Sequence, residues 1–525
     1  MTSVSASSSP VGEAEAPGEL DVTSALKAPD ATGGVQPGAV PLRVLVAIAS
    51  YGEKNLTFLR QIIRNYQSMP FQVDLVVLSE APKDLGAGVE VIVGLPSKNP
   101  WTLPFAHKAV FAERLERYDL FVYSEDDIHV SESHVRAFLD ATARLHDEEI
   151  AGFIRYEVDA SGNRFVNEPW QHYHWKPDSV RQRGDHTIAE FTNEHTGLYI
   201  LTQKQLRRAI ASGGFLRGPC TGRYSWPETA ATDPYTNCGF RKVICISALE
   251  RFLVHHLPNP YVAHLDVSLP AFQEQIQTLQ RIRDAAHPAH TLFEVESKLW
   301  PAAWQKSYYE KPGAELLGLV PQDAREILSV GCGWGGTEDA LQQRGAKVTA
   351  LPLDSVIGAV AERRRIEVVY GDWNECMEQL DGCQFDCVVM TNLIHLQPNP
   401  ERLVEFCLRA IHRGGALVVG GPNFDRLPCR VRGLLGIGGY GNLRRFDRSG
   451  FHCIGPGTLA RQIVPAGFRV TDVRWLDHGL QRGGLRGREL QLGSLTAREW
   501  LLRARRQGGD LANGILGASR RTGPV

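Results

Sequence analysis

Three consecutive carboxylates, Glu125-Asp126-Asp127, close the apolar run Tyr118-Asp-Leu-Phe-Val-Tyr-Ser124. A buried strand that delivers acids at its carboxyl end puts them where open α/β sheets bind ligands. Acids so close repel one another until a cation neutralises them. Hard oxygen ligands suit Mg²⁺ or Mn²⁺, which in turn hold a diphosphate. The triplet also reads as a solvated turn capping the next helix, and alone it decides neither way. A second stretch with chemistry is Ile327-Leu-Ser-Val-Gly-Cys-Gly-Trp-Gly-Gly336. Here an apolar strand runs into a glycine-rich turn and then a helix. Glycines let the backbone turn tightly and approach a ligand, and the helix start offers free N–H groups. Gly331, Gly333 and Gly336 fit a GxGxxG dinucleotide pattern, which purely structural glycine turns also meet.

The elements that must position these residues follow two strand–helix rhythms. In the first, Leu42–Ala49 is a near-continuous apolar run, as a strand buried on both faces requires. Asn55–Ser68 carries Leu56, Leu59, Ile62, Ile63 and Tyr66 at helical spacing. Val73–Leu78, Val89–Val93 and Tyr118–Ser124 read as strands, Ala106–Arg117 as a helix, and a further helix runs from Ser133 to about His146. Residues 151–265 hold many Trp, Tyr, His and Pro and little periodicity, so a long irregular region lining a binding site is expected there. Residues 267–305 read as a helical connector. In the second rhythm the strands are Arg325–Val330, Lys347–Leu353, Ile366–Tyr370, Phe385–Met390, Ala416–Gly420 and Phe468–Leu476. Gly336–Arg344 and Glu401–Ile411 are its helices. Both rhythms imply mostly parallel sheets covered by helices. The tail from Gln481 holds nine Arg against three acids and reads as a solvated helix face or frayed end.

The chain has 525 residues with 43 % apolar and 22 % charged residues, the composition of a soluble globular protein. The net charge of −2 gives no overall bias toward nucleic acid or anionic membranes. No apolar run is long enough for a transmembrane helix, and the N-terminus lacks the basic start and apolar core of a secretory signal. Residues 1–40 carry five acids against Lys27 alone and few apolar side chains, so a disordered tail is expected. Ten cysteines without a CxxC pair point to thiols in a reducing cytoplasm.

VGCGWGG resembles motif I of class I S-adenosylmethionine-dependent methyltransferases, over roughly residues 295–480. Val369-Tyr-Gly-Asp372 is similar to the family's third-strand turn, Phe385-Asp-Cys-Val-Val-Met-Thr-Asn-Leu-Ile-His395 to its fourth-strand motif, and Leu403–Gly420 to its helix, Gly-Gly turn and fifth strand. The resemblance implies that Gly331, Gly333 and Gly335 approach the methionine part of S-adenosylmethionine. It also implies that Asp372 holds the adenine and that Asn392 lies at the cofactor. The family's second strand ends in an acid that grips the ribose. Here Pro352 stands at that place in Val348-Thr-Ala-Leu-Pro-Leu-Asp354, and Asp354, two residues on, takes the role or else caps the next helix. An oxygen acceptor needs a base, for which His395 is the candidate, ahead of His452; a packing role competes for both.

The first half resembles a GT-A-fold glycosyltransferase over roughly residues 41–265, through its layout and the acid-x-acid pattern of Glu125-Asp126-Asp127. That resemblance implies a divalent metal on Asp127, with Glu125 in the pattern's first position and Asp126 toward the ribose or donor sugar. Ser50, Tyr51 and Glu53 would seat the nucleotide base. The general base would be Glu228, or else Asp233, in the stretch Arg223-Tyr-Ser-Trp-Pro-Glu228 and Asp233-Pro-Tyr. A late histidine adds a metal ligand in this family. His255, His256 and His264 all qualify, one alone can hold the role, and His264 is the assignment.

The resulting expectation is an α/β chain of two domains: a GT-A-like mixed sheet with helices at 41–266 and a Rossmann-like methyltransferase sheet at 306–505. The connector lies at 267–305, and tails at 1–40 and 506–525. The function that follows is a bifunctional cytoplasmic enzyme moving a sugar from a nucleotide-sugar donor and a methyl group from S-adenosylmethionine to glycan or small-molecule hydroxyls, without nucleic acid or a transmembrane segment. Competing readings are a methyltransferase with a non-catalytic carbohydrate-binding module, a nicotinamide-dependent oxidoreductase using the GxGxxG, and a non-enzymatic scaffold.

Overall fold

Strand 43–49, apolar and buried from Val44 to Ala49, lies at the centre of the first sheet because both its faces are covered. The computed structural model describes residues 41–167, 172–262, 267–295, 304–436, 445–476 and 495–507; the expected tails at 1–40 and beyond 507, and His264, lie outside them. Strands are numbered β1–β20 in chain order. The first sheet joins β1 (Arg43–Ala49), β2 (Gln72–Ser79), β3 (Val89–Val93) and β4 (Leu120–Glu125) in parallel, with β11 (Leu198–Thr202) antiparallel on β4, in the order β11-β4-β1-β2-β3. Helix Leu56–Gln67 packs by Leu59, Ile62, Ile63 and Tyr66, the spacing of one helical face. The expected helix at 106–117 is α-helical over His107–Glu113 and then a 3-10 turn at Leu115–Arg117. The helix expected from Ser133 spans Glu132–Thr142.

The expectation of an irregular region at 151–265 is corrected. Two four-stranded sheets involve that stretch. One has the order β6 (Glu149–Ala151), β12 (Arg241–Cys245), β10 (His186–Ala189), β9 (Arg181–Arg183). The other runs β5 (Ile128–His129), β13 (Leu253–His256), β7 (Ile154–Val158), β8 (Arg164–Val166). These strands are too short to show a period of two, and their partners are remote: Arg241 lies opposite Glu149. Helices Gln203–Ala211 and Trp226–Thr236 lie in the same stretch.

The second half is built on a seven-stranded sheet of order β16-β15-β14-β17-β18-β20-β19. Its strands are β14 (Glu326–Cys332), β15 (Lys347–Pro352), β16 (Glu367–Val368), β17 (Phe385–Thr391), β18 (Ile411–Pro422), β19 (Phe468–Leu476) and β20 (Glu499–Arg506). Strands β14 to β18 pair in parallel, and β20 is antiparallel to both β18 and β19. The reading of the arginine-rich tail as a solvated helix or frayed end is therefore corrected over Glu499–Arg506. Trp500, Leu502 and Ala504 of β20 are buried. Two of its three arginines are held: Arg503 pairs with Asp472 and donates to Thr471, and Arg506 donates to the Ile411 carbonyl, while Arg505 is exposed. A count of charges does not reveal such partners.

Among its described residues the connector is α-helical over Leu269–Arg283. Ala285 has φ 54 and Pro288 follows, both incompatible with a continuing helix. Beyond that point the chain lies on the end of β15, where Leu292 N–H donates to the Leu353 carbonyl and Ser355 N–H to the His290 carbonyl. One apolar core runs without a break from Trp175, Phe191 and Phe272 to Leu328, Val330 and Leu351. The described residues from Leu42 onward accordingly form one compact unit. No disulfide links the cysteines, and no helix among the described residues is long and apolar enough to cross a membrane.

Leu502, wholly buried at the centre of β20, provides a test of this arrangement. Leu502→Ala is expected to lower stability by about 2–5 kcal/mol in urea unfolding. Leu434→Ala, at a side chain 88 % exposed, is expected to change it by less than about 0.5 kcal/mol.

Candidate functional site

Strand β14 delivers its glycine turn at the carboxyl edge of the second sheet, between β15 and β17. Gly331 (φ 76) and Gly335 (φ 84) adopt left-handed backbone, which glycine enters without steric cost. At Gly333 the requirement is space: an added Cβ would lie 2.3 Å from the Tyr308 carbonyl oxygen. The Trp334 N–H donates to that oxygen at 2.9 Å, and the Trp334 indole N–H donates to the Glu310 carbonyl at 2.6 Å. The Tyr308 ring in turn stacks on His174 of the first half, 4.1 Å between centroids and 6° between planes. Beside the turn, Lys306 is almost wholly buried. Its Nζ lies 2.6 Å from Glu310 Oε1 and donates to Thr391 Oγ1 at 3.1 Å. These three residues, with Ser329, Gly331 and Glu338, bound a polar cavity with room for about one water molecule. Burial pushes the Glu310 carboxyl up from its ordinary range, against the pull of Lys306.

Asp354 follows β15 as the N-cap of helix Ser355–Arg363, where its Oδ1 accepts from the Val356 and Ile357 N–H groups. Of the two roles open to it in sequence, the cap is formed. Its Oδ2 is buried without a hydrogen-bond partner, and burial pushes its pKa up to about 7. Asp372 is an exposed N-cap in a reciprocal box with Glu375. Asn392 follows β17 in left-handed backbone, φ 50, and its Oδ1 is buried without a partner. His395 is buried with Nε2 2.7 Å from the Trp304 carbonyl. A carbonyl only accepts, so Nε2 carries the proton and Nδ1 is left with its lone pair. Burial lowers the His395 pKa to about 4, which keeps the ring neutral. His452 N–H donates to the His395 carbonyl, and its ring stacks on Phe446. The glycine cradle and the two unpartnered oxygens, Asp354 Oδ2 and Asn392 Oδ1, lie after three neighbouring strands. They fit a ligand carrying hydrogen-bonding groups.

In the first half, β4 ends at Glu125, and the three acids meet counter-charges that sequence reading missed. Asn55 Nδ2 bridges Asp126 Oδ1 (2.8 Å) and Asp127 Oδ2 (3.0 Å). Strand β13 pairs antiparallel with β5 and parallel with β7, placing His256 opposite Ile128 and one residue beyond the His255–Tyr156 pair. Its ring therefore sits between Asp127 (Nε2 to Oδ2, 3.4 Å) and Glu157 (Nδ1 to Oε1, 2.6 Å). Burial presses the His256 pKa down, but the two carboxylates outweigh it and leave it raised. Burial likewise presses Glu125 up, yet His195 at 3.5 Å, with Arg155 and His256 behind it, holds it below the usual carboxylate range. Burial pushes Asp126 up to about 6, with Asp127 and Glu125 adding and Asn55 and Ser50 opposing.

Among the described residues no group of three or more His, Cys, Asp or Glu side chains converges as metal ligands do. Asp127 keeps one unpartnered oxygen, Oδ1. Among the described residues His256 is the histidine at Asp127 and His255 stacks on Tyr156; the assigned His264 lies outside them.

The two candidate bases are both engaged. Glu228 Oε2 accepts the Ser225 N–H as the third residue of helix Trp226–Thr236. Asp233 is wholly buried, paired with Lys108 and bonded to Asn237. A carboxylate locked to a buried lysine holds two elements together and is not poised to take a proton. Ser50 is buried beneath the acids, while Tyr51 and Glu53 are exposed beside them.

Asp354 provides a pH test. Its folded pKa lies above that of the unfolded chain, so the folded state binds the proton more tightly, and stability falls as pH rises from about 4 to about 7. Asp354→Asn keeps an oxygen for the cap and removes the ionisation. The decline in thermal stability across that window is expected to flatten in the variant.

Residues 328–419 match the methyltransferase-domain family. A ubiquinone biosynthesis O-methyltransferase of Pseudomonas entomophila is 31 % identical over 204 residues, covering 36 % of this chain and 85 % of that protein. The enzyme of the same name from Paracidovorax citrulli is 31 % identical over 104 residues, 19 % of this chain; the chain spans 44 % of its length. Among solved structures, a SAM-dependent methyltransferase from Archaeoglobus fulgidus matches at 14 % identity and TM-score 0.28, over 37 % of this chain and 90 % of that one. One from Mesorhizobium loti matches at 21 % identity and TM-score 0.28, over 37 % and 96 %. Through its second half, this chain belongs to the S-adenosylmethionine-dependent methyltransferase family that includes the ubiquinone biosynthesis O-methyltransferases.

Proposed function

We propose that the second half transfers a methyl group from S-adenosylmethionine to a hydroxyl oxygen of a glycan or small-molecule acceptor. The observation that carries this reading is the glycine cradle after β14, flanked by the unpartnered Asp354 Oδ2 after β15 and Asn392 Oδ1 after β17. Those are the strand ends at which an open α/β sheet receives a ligand. In this reading Gly331, Gly333 and Gly335 admit the cofactor backbone-close, Asp354 Oδ2 meets the ribose and Asp372 the adenine. Asn392 fixes the end nearest the acceptor. When bound, S-adenosylmethionine supplies a methyl group on a positively charged sulfur. The chain's own part is to hold the acceptor oxygen in line with that methyl and to exclude water. His395 Nδ1, kept neutral, is the acceptor for the departing hydroxyl proton. The oxygen acceptor is supported by the names of the relatives, which are O-methyltransferases. Calorimetric titration of the whole chain with S-adenosylmethionine is expected to show one site per chain. Absence of binding would overturn the reading.

A second reading concerns the first half and is favoured by the acids at the end of β4 beside Ser50 and Asn55. We propose that this cleft binds a nucleotide-sugar and moves its sugar to a hydroxyl acceptor, as in a GT-A-like domain. The described residues do not fit a resident divalent metal, since no group of three or more His, Cys, Asp or Glu side chains converges there and Asp127 Oδ2 already accepts from Asn55. No step is routed through one. Titration of the whole chain with UDP and GDP, with and without Mn²⁺, decides the matter. Binding that is lost in Asp127→Ala is expected. No binding under any condition would leave this half a non-catalytic carbohydrate-binding module.

A further inference from the structure

The segment that leaves helix Leu269–Arg283 lies along the residue that caps the next helix after β15. Ser355 N–H donates to the His290 carbonyl and Leu292 N–H to the Leu353 carbonyl, so Thr291 sits opposite Asp354 in an antiparallel bridge. His287 Nε2 reaches the Ser355 carbonyl at 3.0 Å, and the His290 N–H donates to Ser355 Oγ at 3.2 Å. Further along, the Phe293 ring packs on Trp373, 5.0 Å between centroids. Residues 287–293 thus run over the carboxyl end of β15, from Ser355 to Trp373. Asp354 beneath them is 2 % exposed, and its Oδ2 has no hydrogen-bond partner.

A ribose hydroxyl cannot reach a carboxylate oxygen closed off in this way. An unsatisfied buried acceptor is also a standing cost, which a donated hydroxyl would remove. The same carboxylate edge therefore has two claimants, a stretch of this chain and a ligand. We propose that residues 287–293 are an autoinhibitory strap, which covers Asp354 when the site is empty and must lift before S-adenosylmethionine seats its ribose. This inference rests on the methyltransferase reading. The strap has a hinge and an anchor. Its hinge is Ala285, in left-handed backbone with φ 54, a conformation that strains a residue with a Cβ. Its anchor is helix Leu269–Arg283, whose Phe272 packs on Trp175 and Phe191 of the first half. Closure rests on a few hydrogen bonds and on the side chains of Leu292 and Phe293. A ligand that binds only the open form shifts that balance by its differential affinity.

Hydrogen exchange on the whole chain, with and without S-adenosylhomocysteine, reads the strap directly. Bound ligand is expected to slow exchange in the glycine turn, residues 331–336. It is expected to speed exchange in residues 289–293, where His290 and Leu292 give up their amide bonds. Slower or unchanged exchange at 289–293 beside a slowed turn would overturn the strap and leave the methyltransferase reading standing. Phe293→Ala removes the ring contact with Trp373 and favours the open form. Calorimetry is expected to show S-adenosylhomocysteine bound about threefold or more tightly by this variant than by the native chain. Unchanged or weaker binding by a variant whose circular dichroism matches the native chain would overturn the proposal. Binding by neither chain would overturn the methyltransferase reading and this inference with it.

Discussion

At position 333 the chain leaves no room for a side chain, because the Tyr308 carbonyl oxygen occupies the space. Much else depends on that contact. It lets the Trp334 N–H reach the carbonyl and brings the chain around Tyr308 against the glycine turn of the second half. Tyr308 then meets His174, so the first half presses on the same segment from the other side. A backbone-to-backbone contact of this kind tolerates glycine alone. The continuous apolar core joins helix Leu269–Arg283 to the four-stranded sheets and to the seven-stranded sheet, and the turn of the candidate ligand site is held partly by residues outside the sheet that displays it.

The two halves handle buried charge by the same rule and reach different states. At the end of β4, acids are met by Asn55, His195 and His256, so the repulsion among them is relieved by the protein itself. At the end of β14, one lysine and one glutamate answer each other. In both places an uncompensated charge would cost more than the fold can spare. The first arrangement leaves Asp127 Oδ1 buried without a partner, while the second leaves a closed pair beside a small cavity.

Much of the fold was legible because its long strands are mostly apolar runs. Residues 43–49, 326–332 and 385–391 can be read from composition alone, and Gly331 and Gly335 from the turn they must make. What escaped was non-local. His256 reaches Asp127 only because a four-residue strand pairs with a two-residue one, and neither has a period to detect. Strand β20 was obscured by its own arginines, whose partners Asp472 and Thr471 lie in another strand. The base candidates were chosen for residue type, and the helix that carries them uses one as a cap contact and the other as a buried anchor. Lys306 and Glu310 lie at the start of the second domain, ahead of its first strand, with no motif to single them out.

Strand β20 reaches the middle of its sheet from near the end of the sequence, between β18 and β19, which do not pair with each other. During synthesis those two strands are made first and must wait with their inner edges open. An open edge is a template for any extended chain. The second half thus passes through a stage in which most of its sheet exists but its last ladders cannot close. The protein's exposure to misassembly is concentrated in that interval, after the ribosome has finished the glycine turn and before it has delivered Trp500.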